Sequence, residues 1–192
     1  MDIIHLVINA SVIAWLLPIF RQLKSKLFYF FLILGLMDPL TRFISTYLNL
    51  MQPGVLYSVG SLLLFFSIEN TIQDFLKSRI MNLLLVVGCL IGIMLIQKLE
   101  ILVALLQVLI LYKFIKILVI KLYNLGELNL FYLVLIFYEL SVIINLIVIA
   151  SGTETDIKVF IATLSFQILV AIFFTIFRED SEKLTIQAKI AD

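Results

Sequence analysis

Composition and patterning predict an all-α, polytopic integral membrane protein. The expected architecture is a single seven-transmembrane-helix bundle with its N-terminus outside and its C-terminus cytoplasmic. Three observations point there. Of 192 residues, 63% are hydrophobic and 14% are charged, against about 45–50% and 25% in a soluble domain. The apolar residues gather in seven runs, each close to the ~20 residues that cross ~30 Å of hydrocarbon as a helix. Lysine and arginine fall on alternate connections: Arg21, Lys24, Lys26, Lys77, Arg79, Lys113, Lys116, Lys121, Arg178, Lys183 and Lys189 on one side, Lys98 and Lys158 on the other. The rich side is cytoplasmic by the positive-inside rule, which places the protein in the cytoplasmic (inner) membrane as a multi-pass component. One helix more or fewer would scramble that split, so the charge pattern also supports the number seven.

The first segment, residues 3–20, contains Pro18 and is followed rather than preceded by basic residues. It shows no small-x-small cleavage site and reads as a retained helix, not a signal peptide. The second, 27–48, is long enough to span but carries Asp38, Pro39 and Arg42. Pro39 removes one backbone hydrogen bond and is expected to bend this helix and shape its packing. The third, 55–75, is apolar to Ile68 and then turns polar through Glu69, Asn70 and Asp74. The fourth, 81–97, holds Gly88 and Gly92 at GxxxG spacing, which lets a neighbouring backbone approach; internal helix packing is the expected use. The fifth, 101–120, ends in a lysine-rich stretch whose side chains are expected to snorkel toward headgroups. The sixth is 130–150 and the seventh 159–177. Unbroken apolar runs exclude alternating strand spans. Residues 1–178 are thus read as one transmembrane domain, and 179–192 as a short cytoplasmic tail of mixed charge with no output domain.

The second segment is the one with chemistry in it. On a helix Asp38, Arg42, Ser45 and Asn49 share one narrow face. A charge at membrane depth costs roughly 2.5–3.5 kcal/mol on insertion scales and therefore faces a bundle interior or a wet cavity. Asp38 and Glu139 lie at similar depth, about 16 and 14 Å from the cytoplasmic ends of their segments at ~1.5 Å per residue. Asp38 and Arg42 are spaced to pair, which leaves Glu139 as an unmatched acid. Asn9, Gln107 and Gln167 add polar groups toward the middle or the outer half, while the cytoplasmic halves of most segments are aliphatic or aromatic. The expectation is a pocket that opens outward and is plugged inward, with Asp38, Arg42, Ser45, Glu139, Gln107, Gln167 and Asn9 as candidate ligand-binding residues. A static polar clamp between the second and sixth segments accounts for the same residues without a ligand.

Other chemistries find no support. There is a single histidine and a single cysteine, Cys89, in an apolar run, and no cluster has metal-ligand spacing. No phosphate-binding loop or nucleophile motif occurs. The seventh segment has no lysine to hold a retinal Schiff base. Basic residues sit at helix ends rather than in a patch with polar readers, so nucleic acid is not an expected partner. No metal or cofactor is expected. The run LLPIFRQLKSK at the end of the first segment resembles the proline-plus-basic end of the first helix in PQ-loop and SWEET sugar transporters. Pro18 is not directly followed by Gln and the fifth segment has no proline, so the chain is not assigned to that family.

Three functional classes follow. The preferred one is a ligand-sensing or accessory module that couples an outward-facing polar pocket to a protein partner at the cytoplasmic face, with lipids around it and a small molecule arriving from outside. The alternative is a small proton-coupled transporter that uses Glu139 as its titrating acid. The least favoured is an intramembrane lipid-acting enzyme with Asp38 and Glu139 as acid and base.

Overall fold

A computed structural model describes residues 3–68, 79–151 and 157–187. Among these, seven α-helices appear: α1 (Ile3–Arg21), α2 (Phe28–Arg42), α3 (Pro53–Ser67), α4 (Arg79–Leu95), α5 (Leu99–Leu125), α6 (Leu130–Ser151) and α7 (Ile157–Ile176). All seven expected segments are therefore helical. The expected extension of the third to residue 75, with Glu69, lies outside the described residues, as do the last five residues of the tail. Three stretches are long and apolar enough to cross a membrane: Phe28–Tyr47, Leu99–Leu125 and Leu130–Ser151.

The helix ends carry local signals. Pro53 starts α3, where its missing N–H costs nothing. Gly126 ends α5 in the left-handed conformation, φ 63°, with its N–H bonded to the Leu122 carbonyl, a position that favours glycine. Asn129 then opens α6: its Oδ1 accepts the Phe131 N–H at 3.0 Å, the usual side-chain N-cap. After Arg42 the second helix widens into a π turn, Phe43–Tyr47. Pro39 lies within α2, three residues short of that change.

Hydrogen bonds between helices fix the neighbours. Arg42 near the end of α2 meets Asn9 near the start of α1, and Tyr57 near the start of α3 meets Asp38 on α2. Both pairs of helices are therefore antiparallel. Lys98 donates to the Ala150 carbonyl at 2.8 Å, capping α6 from the start of α5. α1 crosses α2 very closely at Gly35, where a Cβ would sit 2.6 Å from the Trp15 carbonyl oxygen. α4 is the most loosely held helix, packed on α3 and α5 through Cys89, Leu102 and Leu106, with Ile80, Met81, Leu84 and Met94 exposed.

The core occupies one half of the bundle. Phe30, Phe31, Phe114, Phe131 and Phe174 are essentially fully buried. Their rings meet tilted or edge-on, with centroids at 5.2 Å for Phe30–Phe114, 5.0 Å for Phe31–Phe174 and 4.9 Å for Phe131–Phe174. These are the separations and tilts aromatic quadrupoles favour.

The segment after α7 folds back onto this end of the bundle instead of trailing away. Gln22 is fully buried and donates to the carbonyls of Phe174 (3.0 Å) and Phe177 (2.8 Å), capping α7. Glu179 is buried and accepts the Tyr132 hydroxyl at 2.5 Å. Two three-residue strands, β1 (Glu127–Asn129) and β2 (Thr185–Gln187), pair antiparallel, with Leu128 opposite Ile186. The lysines of the fifth segment also turn inward more than snorkelling predicts. Lys113 Nζ lies 3.5 Å over the Phe65 ring and donates to the Phe65 carbonyl, and Lys121 sits 4.5 Å over Tyr132.

Candidate functional site

The half of the bundle away from the phenylalanine layer is not filled. A cavity of about 410 Å³ lies between α1, α2, α3, α5, α6 and α7. Regular helix spacing explains who lines it. Glu100, Val103 and Gln107 on α5 stand at i, i+3 and i+7, and Tyr138, Val142, Leu146 and Ile149 on α6 at i, i+4, i+8 and i+11, so each set forms a single stripe. α2 gives Leu34, Met37 and Asp38, α3 gives Pro53, Gly54 and Tyr57, and Trp15 and Gln167 come from α1 and α7. Pro53, Gly54, Glu100 and Ile149 belong to the terminal turns of their helices and mark the mouth. Trp15 and Tyr138 form the floor, their rings 4.7 Å apart and tilted by 51°. Trp15 also lies 6.4 Å from Phe174, so the floor rests directly on the phenylalanine layer.

The two charges of α2 part company. Asp38 accepts the Tyr57 hydroxyl at 2.9 Å. Arg42 is exposed and donates to Asn9 Oδ1 at 3.4 Å. The expected Asp38–Arg42 ion pair does not form; among the described residues the ion pair is Arg178–Asp180. Side chains at i and i+4 can meet, but each of these has a better-placed partner on a flanking helix. Ser45 is spent on its own helix, donating to the Thr41 carbonyl at 2.6 Å. Gln107 is buried; its Nε2 donates to Ser61 at 3.3 Å, while its Oε1 has no partner.

Of the expected ligand residues, then, Asp38, Gln107 and Gln167 come together on the cavity wall. Asn9 and Arg42 form a separate exposed pair. Glu139 is only 1% exposed, with Oε2 unpartnered, and does not line the cavity. The glycines of the fourth segment also separate: Gly92 faces Leu102 of α5, and Gly88 has nothing within 4 Å.

Sequence reasoning missed Glu100, Tyr138 and Trp15. One signal was available: Gly54, Tyr57, Ser58 and Ser61 fall at i, i+3, i+4 and i+7, a small and polar stripe along an otherwise apolar helix. Nothing comparable marks Tyr138, whose neighbours along its own helix face are Val134, Val142 and Leu146.

Chemically, the cavity offers two carboxylates, an unpaired amide oxygen, aromatic faces and aliphatic walls. Among the described residues no lysine, arginine or histidine lines it. Among the described residues no group of three or more His, Cys, Asp or Glu is placed to hold a metal ion. No family model, no curated protein and no solved structure matches the chain.

Proposed function

We propose that the chain is a seven-span protein of the cytoplasmic membrane that binds a small molecule in the Asp38 cavity from the outer side and acts as a sensing or accessory module for a partner at the cytoplasmic face. One observation carries the reading: the cavity mouth is at the lysine-poor helix ends, and the opposite, lysine-rich end is sealed by stacked phenylalanines. A cavity of about 410 Å³ with apolar walls and a few convergent polar groups fits the general description of a ligand site. The seal favours binding over passage. The seven spans are supported by the three long apolar helices, by the shorter apolar helices Leu6–Arg21, Pro53–Ser67, Ile80–Leu95 and Ile161–Ile176, and by large exposed side chains such as Ile80, Met94 and Tyr112. The orientation rests on the positive-inside rule. A route to the far end is built in: Trp15 touches both the cavity and Phe174, and α7 leads from Phe174 into the docked 178–187 segment.

Native mass spectrometry on protein released gently from its own membranes tests this. The wild type should carry a small-molecule adduct that Gln107→Leu loses, and a partner protein whose association changes when the adduct is stripped. A wild type without an adduct, or an adduct equally retained by Gln107→Leu, overturns the reading.

Glu139 supports a second reading. A carboxyl fully buried without a partner is the group a proton-coupled transporter would use. That reading requires uptake into liposomes driven by a pH gradient and lost in Glu139→Gln. Two-carboxylate enzyme chemistry draws no support, since Asp38 lines the cavity and Glu139 does not.

A further inference from the structure

We infer that the occupant of the cavity is an organic cation, a protonated amine carried on an apolar body. The inference rests on the reading of the cavity as a ligand site and names what that site takes.

Charge gives the first argument. Among the described residues the wall carries two carboxylates and no cationic side chain. Arg42, the residue spaced to neutralise Asp38, is turned out to Asn9, and Asp38 keeps one neutral donor, Tyr57. Asp38 is half-buried and the hydrogen bond it accepts comes from a neutral hydroxyl, which leaves its charge room for a cationic partner. An anionic ligand would add repulsion from Asp38 and Glu100. A neutral ligand would leave Asp38 as it is. A cation completes it, and Glu100 at the mouth adds attraction along the way in.

The floor gives the second argument. Trp15 and Tyr138 present two tilted rings 4.7 Å apart, and a cation near the face of Trp or Tyr gains from the ring quadrupole, most at Trp. Gln107 gives the third. It is buried and its Oε1 lacks a donor, which an ammonium N–H can supply. The aliphatic remainder of the wall, Leu34, Met37, Val103, Val142 and Leu146, calls for an apolar body behind the charge. A bare metal ion is the wrong size for the cavity and finds, among the described residues, no cluster of carboxylates to ligate it.

The test uses the full chain in nanodiscs and three probes on one skeleton: 2-phenylethylamine, 2-phenylethanol and phenylacetate, a cation, a neutral molecule and an anion. The amine should bind about tenfold more tightly than the alcohol, the gain expected of one desolvated cation–π or charge contact, and phenylacetate most weakly. Asp38→Asn should bring amine and alcohol within about threefold while the alcohol still binds, since only the charge preference is removed. Val142→Trp, or Val103→Phe if the first does not elute as a single species, should abolish binding by filling the cavity. Equal affinity for amine and alcohol, both lost on filling, overturns the cation assignment and leaves the cavity standing as a ligand site. Tighter binding of phenylacetate does the same. Binding of no probe, or binding untouched by the filling variants, overturns both.

Discussion

The two halves of this bundle are built from the same six helices and solve opposite problems. Toward one end the helices meet through buried aromatic rings. Toward the other they meet through single hydrogen bonds, Asp38–Tyr57, Arg42–Asn9 and Lys98–Ala150, and enclose about 410 Å³. The contrast teaches where stability and binding reside. In an apolar solvent helices gain nothing from hiding leucine, so close packing and hydrogen bonds must hold them. A packed aromatic layer supplies that at one end and frees the other end to remain open. Stability and binding should therefore separate by region, and they should meet only where the halves touch.

The largest expected effect follows from breaking the packed half. Phe174 touches Phe31, Phe131, Phe173 and Trp15. Phe174→Ala removes a ring from a layer with no slack and should cost about 3–5 kcal/mol. For a chain of this length that corresponds to a melting temperature lower by roughly 6–20 °C, at about 2–4 °C per kcal/mol. Asp38→Asn should leave the melting temperature within about 2 °C, a surface-sized effect below 0.5–1 kcal/mol. Thermal unfolding in matched detergent compares the two. An Asp38→Asn protein that melts as early as Phe174→Ala would show that the open half holds the bundle together after all.

Much of this division is legible in the sequence. Seven apolar runs give seven helices because length and hydropathy dominate everything local about such chains. In the second and sixth segments the aromatic residues of one half and the polar residues of the other are visible as a gradient along the run. Which groups pair is not visible. Asp38 and Arg42 satisfy the spacing for a pair within α2, and only the positions of α1 and α3 send them to Asn9 and Tyr57. The same holds for Gln22 and Glu179, which look like surface residues near a helix end and are in fact buried, one capping α7 and the other holding Tyr132. Their roles depend on residues more than 40 positions away in the chain, which no periodicity records. Gly126 and Asn129, whose roles are local, could be read directly.

A smaller effect is expected where the halves join. Gly35 lies against the Trp15 backbone, and a Cβ would stand 2.6 Å from its carbonyl oxygen. That atom belongs to a helix and cannot swing aside, so Gly35→Ala must push α1 from α2. The cost is that of overpacking, about 1–3 kcal/mol. Because Trp15 forms the cavity floor, the same substitution should also weaken ligand binding. This is the variant for which stability and affinity fall together. A loss of stability with unchanged binding of 2-phenylethylamine would show that the floor is independent of the α1–α2 crossing.

The smallest effect distinguishes two glycines that the GxxxG spacing treats as one face. At Gly92 a Cβ would meet the Leu102 side chain at 3.0 Å, whereas at Gly88 it would meet nothing within 4 Å. Gly92→Ala must displace the end of a buried leucine side chain by a few tenths of an ångström. Gly88→Ala meets no such resistance and gains the helix propensity that alanine has over glycine, up to about 1 kcal/mol. The pair should therefore differ in sign: Gly88→Ala neutral to slightly stabilising, Gly92→Ala slightly destabilising, both read from melting temperatures in the same detergent. If Gly88→Ala were instead the damaging one, a helix from a second molecule would have to occupy the space beside it, and α4 would be an interface rather than an edge.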